Sequence, residues 1–160
     1  MSKTRFSTHE CPLARSLDQI GDWWTLLVIR EVMYGLHRFN DIRDSLGIAR
    51  GVLSARLKQL LANGILEKQT DEEDARVVCY RLTQKGRDLM LVLMAIIQWS
   101  NAHIVSQDVL QIRNGKNGKP ISRLCGVDGD GRAIDIADMI LVGGRGASPH
   151  LRKRIRAAFS

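Results

Sequence analysis

Residues 47–63 of the 160-residue chain read GIARGVLSARLKQLLAN, and this stretch decides the fold. It predicts one helix after a tight turn at Gly47, because leucines recur along it at spacings of three and four residues. Those leucines are Leu53, Leu57, Leu60 and Leu61. The opposite face is small, polar and basic, with Gly51, Ser54, Ala55, Lys58 and Gln59 across it and Arg50 and Arg56 beside it. Such a face suits either plain solvent or an anionic partner, since Lys and Arg neutralise phosphates while Ser, Gln and Arg hydrogen-bond base edges.

The segments on either side favour the anionic partner. Residues 38–46 (RFNDIRDSL) carry apolar side chains at helical spacing, and a short helix, a glycine turn and a longer helix make the layout of a helix-turn-helix. Residues 65–68 and 77–82 follow as two strand-like runs around a polar loop at 70–76. A β-hairpin directly after a recognition helix predicts a winged helix.

Three further helices are predicted around this unit. A first apolar helix ends at Gly21, and Asp22 is suited to cap an almost wholly apolar helix over residues 23–33. Thr83 is suited to cap a helix over residues 84–103. That last helix is more apolar than one small domain requires, which favours a role in homodimerisation. The alternative is that it folds back on its own core.

The composition changes over residues 108–160. Glycine-rich turns separate three short apolar runs and predict a small β appendage. The runs are 109–112, 134–136 and 139–142. Ser148 and Pro149 then open a final basic helix over residues 150–159. The expected fold is mainly α with a small β-hairpin wing: a winged helix-turn-helix for DNA binding and dimerisation over residues 1–107, then a glycine-rich, basic C-terminal appendage, β-rich and ending in a helix.

Charge favours nucleic acid as the partner. The chain carries a net charge of +7 with a pI near 9.8, and no strongly basic stretch is also aromatic, as a membrane-surface helix would be. Residues 1–107 carry 14 Lys and Arg against 12 Asp and Glu, and residues 108–160 carry 10 against 5, so most of the excess lies in the appendage. No apolar run reaches about 18 residues and no signal peptide is present, so we expect a cytoplasmic protein without membrane contact.

No metal, cofactor or catalytic chemistry is expected. Cys11, Cys79 and Cys125 are far apart and match no zinc spacing, and an odd cysteine count fits a reducing compartment. The four histidines are scattered, and no acidic residues are spaced as a catalytic dyad. We therefore expect that the protein is not an enzyme.

Motifs spread over residues 11–89 carry a family resemblance. They are Cys11-Pro12, Trp24-Thr25-Leu26-Leu27, Arg38-Phe39, Ile48, Leu53, Arg56, Leu57, Leu60, Gly64, Tyr80, Leu82-Thr83 and Gly86. Together they resemble the HxlR family of bacterial, MarR-like winged-helix transcription regulators. The resemblance implies a homodimer that binds an inverted-repeat operator through the recognition helix and the wing. It also implies, as in some members, a cysteine near the N-terminus that senses oxidants or electrophiles.

Three features depart from the family pattern. Ala49 stands where a serine commonly caps the recognition helix, and losing such a cap costs about 1 kcal/mol. Gly51 replaces a longer polar side chain and so removes a base or phosphate contact. The wing tip at 71–74 reads DEED, and because a phosphate backbone repels these acids, Arg76 is the contact expected from the wing.

Candidate functional residues follow from the residues and the resemblance together. The expected DNA contacts are Arg38, Arg50, Arg56, Lys58 and Arg76 to phosphates and Ser54 and Gln59 to bases. Cys11 is the candidate redox sensor, because it precedes a helix start, where the helix dipole favours the thiolate. The alternative role for Cys11 is that of a small packing residue.

The expected function is transcription regulation, as a repressor. A homodimer would bind a pseudo-palindromic operator whose half-sites lie about one turn of double-stranded DNA apart. The expected signal is a redox or small-molecule effector, such as an oxidant or an electrophile. The alternative is a winged-helix protein-interaction module without sequence-specific DNA binding, in which the basic appendage makes the contact.

Overall fold

The computed structural model describes residues 6–71, 74, 76–106 and 109–158. They divide into two compact units on either side of the bond between Ile96 and Ile97. The domain boundary at 107/108 stays a prediction. The described elements are α1 (Pro12–Ile20), α2 (Trp23–Met33), α3 (Phe39–Leu46), α4 (Arg50–Ala62), β1 (Leu66–Thr70), β2 (Val78–Leu82), α5 (Gln84–Asp88), α6 (Met90–His103), β3 (Gly126–Val127), β4 (Ala133–Ile134), a 3-10 turn (Ile136–Asp138) and α7 (Pro149–Ala158).

The first unit folds around α2 and α4, whose apolar faces share one core with α3 and the start of β1. Its completely buried side chains include Val28, Ile29, Ile42, Leu53 and Leu60. Burying each such side chain stabilises the fold by about 1.5–3 kcal/mol. The inward leucine face predicted for residues 47–63 is therefore confirmed.

Side-chain caps and one glycine determine where these helices begin and end. The Asp22 side chain accepts a hydrogen bond from the N–H two residues on (3.0 Å), and the Thr83 hydroxyl accepts one from the N–H three residues on (3.2 Å), so both predicted caps are confirmed. Gly47 has a φ of 60°, the left-handed conformation that ends α3 and turns the chain toward α4. Ala49 opens α4 with no side-chain cap, as its methyl group requires.

A buried carboxylate joins α2 to α3. Glu31 is 3% exposed and accepts hydrogen bonds from the Ser45 hydroxyl (2.6 Å) and the Arg30 Nε (2.8 Å). A carboxylate this deeply buried would be costly without such partners. The Ser45 bond therefore holds the first helix of the helix-turn-helix against α2, while Arg30 on α2 itself balances the charge of Glu31.

The wing is an antiparallel hairpin of β1 and β2, in register from Leu66 opposite Leu82 to Thr70 opposite Val78. The prediction of a hairpin is confirmed, although β1 continues to Thr70, which was expected in the loop. Residues 72, 73 and 75 of the predicted loop at 70–76 lie outside the described residues. At the base of the wing, a Cβ on Gly86 would lie 2.3 Å from the Ile65 carbonyl oxygen, so only glycine permits this close approach.

The helix predicted over residues 84–103 is interrupted. The Leu89 N–H donates to the Gly86 carbonyl oxygen three residues back (3.2 Å). This bond forms a tight turn of the 3-10 type, which separates α5 from α6. Leu89 itself packs on the core of the first unit. The extent of the predicted helix is therefore right and its continuity is wrong. None of the helices in the described ranges has the length and apolarity needed to cross a membrane.

The second unit is built from tight turns. β3 and β4 pair across a turn in which the Asp128 carboxylate accepts hydrogen bonds from the backbone N–H groups of residues 130 and 132 (both 2.9 Å). A second turn is closed by the bridge between Arg113 and Pro120. The Ser148 hydroxyl accepts from the Leu151 N–H (3.1 Å), which confirms the cap predicted for α7.

The extra strands and final helix of the C-terminal appendage are confirmed, but their positions differ from those expected. The runs at 109–112 and 139–142 are not strands, and of the run at 134–136 only Ile134 belongs to one. A strand requires a neighbour to satisfy its backbone groups, and the described structure pairs other residues instead. The predicted end of α7 at residue 159 lies outside the described part of the chain.

Candidate nucleic-acid interface

The outer face of α4 is an exposed polar surface of the helix-turn-helix. Its exposed residues are Arg50, Gly51, Ser54, Ala55 and Lys58. A Cβ built on Gly51 would meet no atom within 4 Å, so the glycine is not required by packing. Small side chains at these positions let the helix backbone approach a groove wall closely. This surface is called the α4 outer face below.

Cations stand at both ends of the α4 outer face. The Arg50 guanidinium lies 5.5 Å from the centre of the Phe39 ring, an arrangement that orients the charge without neutralising it. Lys58, like Ser54, makes no side-chain hydrogen bond or ion pair within the described residues. These three side chains are therefore available to a partner as they stand.

Two other predicted contacts tie α4 to its own unit. The Arg56 Nη1 lies 3.4 Å from the Asp22 carboxylate and donates to the Gln59 Oε1 (3.1 Å). The Gln59 Nε2 in turn donates to the Asp18 carbonyl oxygen (3.1 Å). Both side chains are partly buried, and together they fasten α4 to the junction of α1 and α2. Sequence reasoning missed this because the partners lie 34 or more positions away.

Arg38 is held by the wing. Its Nη2 lies 2.8 Å from the Asp71 carboxylate, and the Cys79 thiol donates to the same oxygen (3.2 Å). Burial, and then the hydrogen bond to Asp71, raises the pKa of the Cys79 thiol, so Cys79 is held as the neutral thiol. Asp71 was expected only to repel DNA, whereas the structure uses it to join the start of α3 to the wing.

Arg76 has an acidic partner as well. Its side chain is 90% exposed, and its Nε lies 3.0 Å from the Asp74 carboxylate, which holds the pKa of Asp74 below its usual value. Two of the four acids predicted to repel phosphate, Asp71 and Asp74, are thus paired with arginines. Residues 72 and 73 lie outside the described range.

Cys11 occupies the N-cap position of α1 and is half-buried. Its backbone N–H donates to the Nδ1 of His9 (3.0 Å), and its thiol makes no capping bond. The predicted placement at a helix start is confirmed. Cys125, by contrast, is exposed. Within the described ranges, no group of three or more His, Cys, Asp or Glu could hold a metal ion.

The pair α3–α4 and the hairpin after it make the fold a winged helix-turn-helix, and similarity to HTH-type transcriptional regulators defines the class of the protein as a transcriptional regulator. The HxlR-like helix-turn-helix family matches residues 19–108, more than half of the chain, and the chain belongs to that family. The resemblance inferred from the motifs is therefore confirmed.

Relatives and solved structures agree with this assignment. The chain is 33% identical over 125 residues to Mb3122 of Mycobacterium bovis, named an uncharacterized HTH-type transcriptional regulator; the match covers 76% of this chain and 73% of the relative. The crystal structure of PA1607, described as a candidate transcription factor, superposes with a TM-score of 0.75 at 36% identity, covering 86% of this chain and 98% of that one. The redox regulator HypR in its oxidized form superposes with a TM-score of 0.51 at 28% identity, covering 59% of this chain and 97% of that one.

Proposed function

We propose that this regulator is a homodimeric repressor that binds a pseudo-palindromic operator through the α4 outer face. The observation that carries the proposal is that α4 presents small, uncommitted side chains between two available cations, Arg50 and Lys58. A helix with this surface can enter the major groove, where Ser54 reaches base edges while the cations neutralise phosphates.

The seven predicted DNA contacts fall into two groups under this proposal. Arg50, Ser54 and Lys58 act without rearrangement. The other four exchange an intramolecular partner for DNA when the complex forms, and they are Arg38, Arg56, Gln59 and Arg76. We therefore expect the first group to contribute to DNA affinity in any complex. The second group contributes only where the docked helix brings DNA close enough to replace the intramolecular partner.

Exposed apolar side chains support the homodimer. They include Leu13 and Leu17 on α1 and Leu91, Val92 and Ile96 on α6, all in the first unit. Leu13 is 67% exposed and Leu91 64% exposed, and large apolar side chains at such exposure favour association. Light scattering should give a dimer for the wild type and a monomer for Leu91→Glu. A wild type that stays monomeric at micromolar concentration would remove the dimer from the proposal.

Cys11 is proposed as the sensor of an oxidant or electrophile. Its position at the start of α1 and the likeness to the redox regulator HypR support this role. Hydrogen peroxide would oxidise the Cys11 thiolate to sulfenic acid: the sulfur takes one peroxide oxygen as hydroxyl, the O–O bond breaks, and hydroxide leaves. The change would occur on the helix that carries part of the proposed dimer surface.

Binding measured across a salt series tests the proposal. The titration uses a duplex from upstream of the protein's own gene and a shuffled duplex of equal length and composition, each with and without hydrogen peroxide. The proposal predicts tighter, salt-steep binding to the upstream duplex, lost on peroxide treatment and retained in Cys11→Ser. Equal affinity for the two duplexes would contradict sequence-specific binding, and peroxide-induced release from Cys11→Ser would contradict the sensor.

A protein-interaction module is the second candidate function. The pairing of Arg38, Arg56 and Arg76 with acidic residues supports it, because paired cations attract DNA less than free ones. Affinity for both duplexes that stays weak and changes little with salt would favour this candidate.

A further inference from the structure

The last helix carries a concentration of positive charge that the proposed operator contact does not use. α7 contains Arg152, Lys153, Arg154 and Arg156 and no acidic residue. Leu151 and Ile155 on the same helix are half-buried, with Ile155 beside residues 140–143, whereas the four cations are exposed. α7 is therefore amphipathic, with a positive outer side.

Arg152 makes hydrogen bonds within its own unit. Its guanidinium donates to the carbonyl oxygens of Ala147 (3.0 Å), Gly143 (3.2 Å) and Gly144 (2.6 Å). These bonds fasten the segment before α7 to the helix. Lys153, Arg154 and Arg156 are left as the basic face of α7, and no described acid forms an ion pair with any of them.

Many arginines elsewhere form ion pairs within their own unit, although some, such as Arg50, do not. In the first unit five ion pairs engage arginines, namely Arg30–Glu31, Arg38–Asp71, Arg43–Asp44, Arg56–Asp22 and Arg76–Asp74. In the second unit Arg123 and Arg132 have acidic partners too. Three neighbouring cations without such partners repel one another, and a polyanion relieves that repulsion. The basic face of α7 thus has the charge pattern of a phosphate-binding surface.

We infer that the basic face of α7 binds the phosphate backbone of double-stranded DNA. This inference rests on the proposed function, which supplies DNA as the partner, and adds a sequence-independent contact to it. A membrane surface fits less well, because the two large apolar residues of α7 itself, Leu151 and Ile155, are half-buried, so the helix lacks the exposed apolar face of a membrane-surface helix. The cationic fork of arginine is well matched to phosphate oxygens.

The α7 contact should change the salt dependence of DNA binding by a predictable amount. Each neutralised phosphate contributes about 0.9 to the slope of log affinity against log salt concentration, so three contacts contribute up to about 3. Because phosphates carry no sequence information, removing the three cations should lower the affinity for every duplex by the same factor.

The test uses the full chain with Lys153→Gln, Arg154→Gln and Arg156→Gln combined. Glutamine favours helix, and Leu151, Ile155 and Arg152 are kept, so α7 retains its own contacts. The matched control is Lys116→Gln, Lys119→Gln and Arg145→Gln, which removes the same charge from exposed positions of the same unit that also form no ion pair within the described residues. Far-UV circular dichroism checks that both variants keep the wild-type helix content.

Both variants and the wild type are titrated with the upstream and the shuffled duplex over a salt series, and with poly-glutamate. We expect the α7 variant to lose roughly ten- to a thousand-fold in affinity for both duplexes at low salt and to give a shallower slope, while the control stays near wild type. An α7 variant that matches the control on the shuffled duplex would overturn the inference.

The titration also separates this inference from the proposed function. Equal wild-type affinity for the two duplexes removes sequence-specific operator binding and leaves the α7 contact standing if the α7 variant binds both more weakly. An unchanged affinity for DNA with lost binding to poly-glutamate would overturn the α7 contact and assign the basic face to an acidic protein.

Discussion

The two units of the chain are stabilised in different ways. The first encloses a core in which side chains of α2, α3 and α4 have no exposed surface. In the second, none of the described residues from 97 to 158 is fully buried, and its hairpin and turns depend on backbone hydrogen bonds and short polar side chains. The first unit can therefore hold side chains in fixed positions, as reading DNA bases requires, whereas the second supplies exposed surface and charge.

The two units also differ in how their positive charges are paired with acidic residues. Several arginines of the first unit are paired with acids and help to join its elements, as Arg38 joins α3 to the wing and Arg56 joins α4 to α2. The basic face of α7 is free of such pairs within the described residues. Positive charge on these paired arginines therefore serves the fold, whereas Arg50 and Lys58 on the α4 outer face and the basic face of α7 remain available to a partner.

The largest difference expected between the units is in the cost of removing an apolar side chain. Leu53→Ala in α4 should lower the free energy of unfolding by about 2–5 kcal/mol, because Leu53 is completely buried. Ile155→Ala in α7 should cost about 1 kcal/mol or less, since Ile155 is only half-buried. Urea unfolding followed by circular dichroism measures both. Equal losses would show that the second unit has a core like that of the first.

Cysteine alkylation compares a buried with an exposed position. Cys79 in β2 is 3% exposed and its pKa is raised by burial, whereas Cys125 in the second unit is exposed. Cys125 should react with iodoacetamide about a hundredfold faster, because Cys79 must wait for local opening of the wing. Mass spectrometry of peptides from timed samples gives the two rates. Similar rates in the native protein would mean that the wing opens readily.

Replacement of single cations separates a DNA contact from a structural one. Lys58→Ala should weaken binding to any duplex about tenfold at low salt and leave the thermal midpoint unchanged. Arg56→Ala should weaken DNA binding and also lower the thermal midpoint, because Asp22 and Gln59 lose a partner. The loss in the free energy of unfolding should be about 1 kcal/mol. Anisotropy titrations paired with thermal melts test this. A Lys58→Ala protein that binds DNA like the wild type would exclude Lys58 as a contact.

The smallest effect expected is a dependence of stability on pH through His37. Burial, and then the positive charge of Arg81, lowers the pKa of His37 below its usual value. The unfolded chain therefore takes up a proton that the folded chain does not, and the free energy of unfolding falls as the pH drops from about 7 through the unfolded pKa of about 6.5. Urea unfolding at pH 7.5 and 5.5 should show this loss, and His37→Gln should reduce it. An identical loss in the variant would assign the effect to other groups.

Much of the first unit could be predicted from the sequence because its signals are local. The leucine spacing of α4, the glycine at residue 47 and the caps Asp22 and Thr83 each act within a few residues. The same holds for the hairpin, whose two strands are close in the chain. The break at Leu89 was missed, since it depends on how Gly86 and Leu89 pack on the first unit.

The candidate site was predicted as a set of residues rather than as a set of contacts. Nothing local indicates that Arg56 meets Asp22 or that Arg38 meets Asp71, because each pair joins positions more than 30 residues apart. The appendage strands were misplaced for a related reason. The apolar runs at 109–112 and 139–142 do not show whether a neighbouring strand is available to pair with them. The DNA contacts themselves stay predictions.

The central claim is that the α4 outer face lies against DNA, and Gly51→Glu tests it most directly. A Cβ at residue 51 would meet no atom within 4 Å outside its own helix backbone, so we expect the fold to be preserved and the helix to be favoured by about 1 kcal/mol over glycine. We predict that Gly51→Glu abolishes binding to the upstream duplex while its thermal midpoint stays the same or rises, and that Gly51→Ala binds nearly as well as the wild type. Wild-type affinity in Gly51→Glu would contradict the claim.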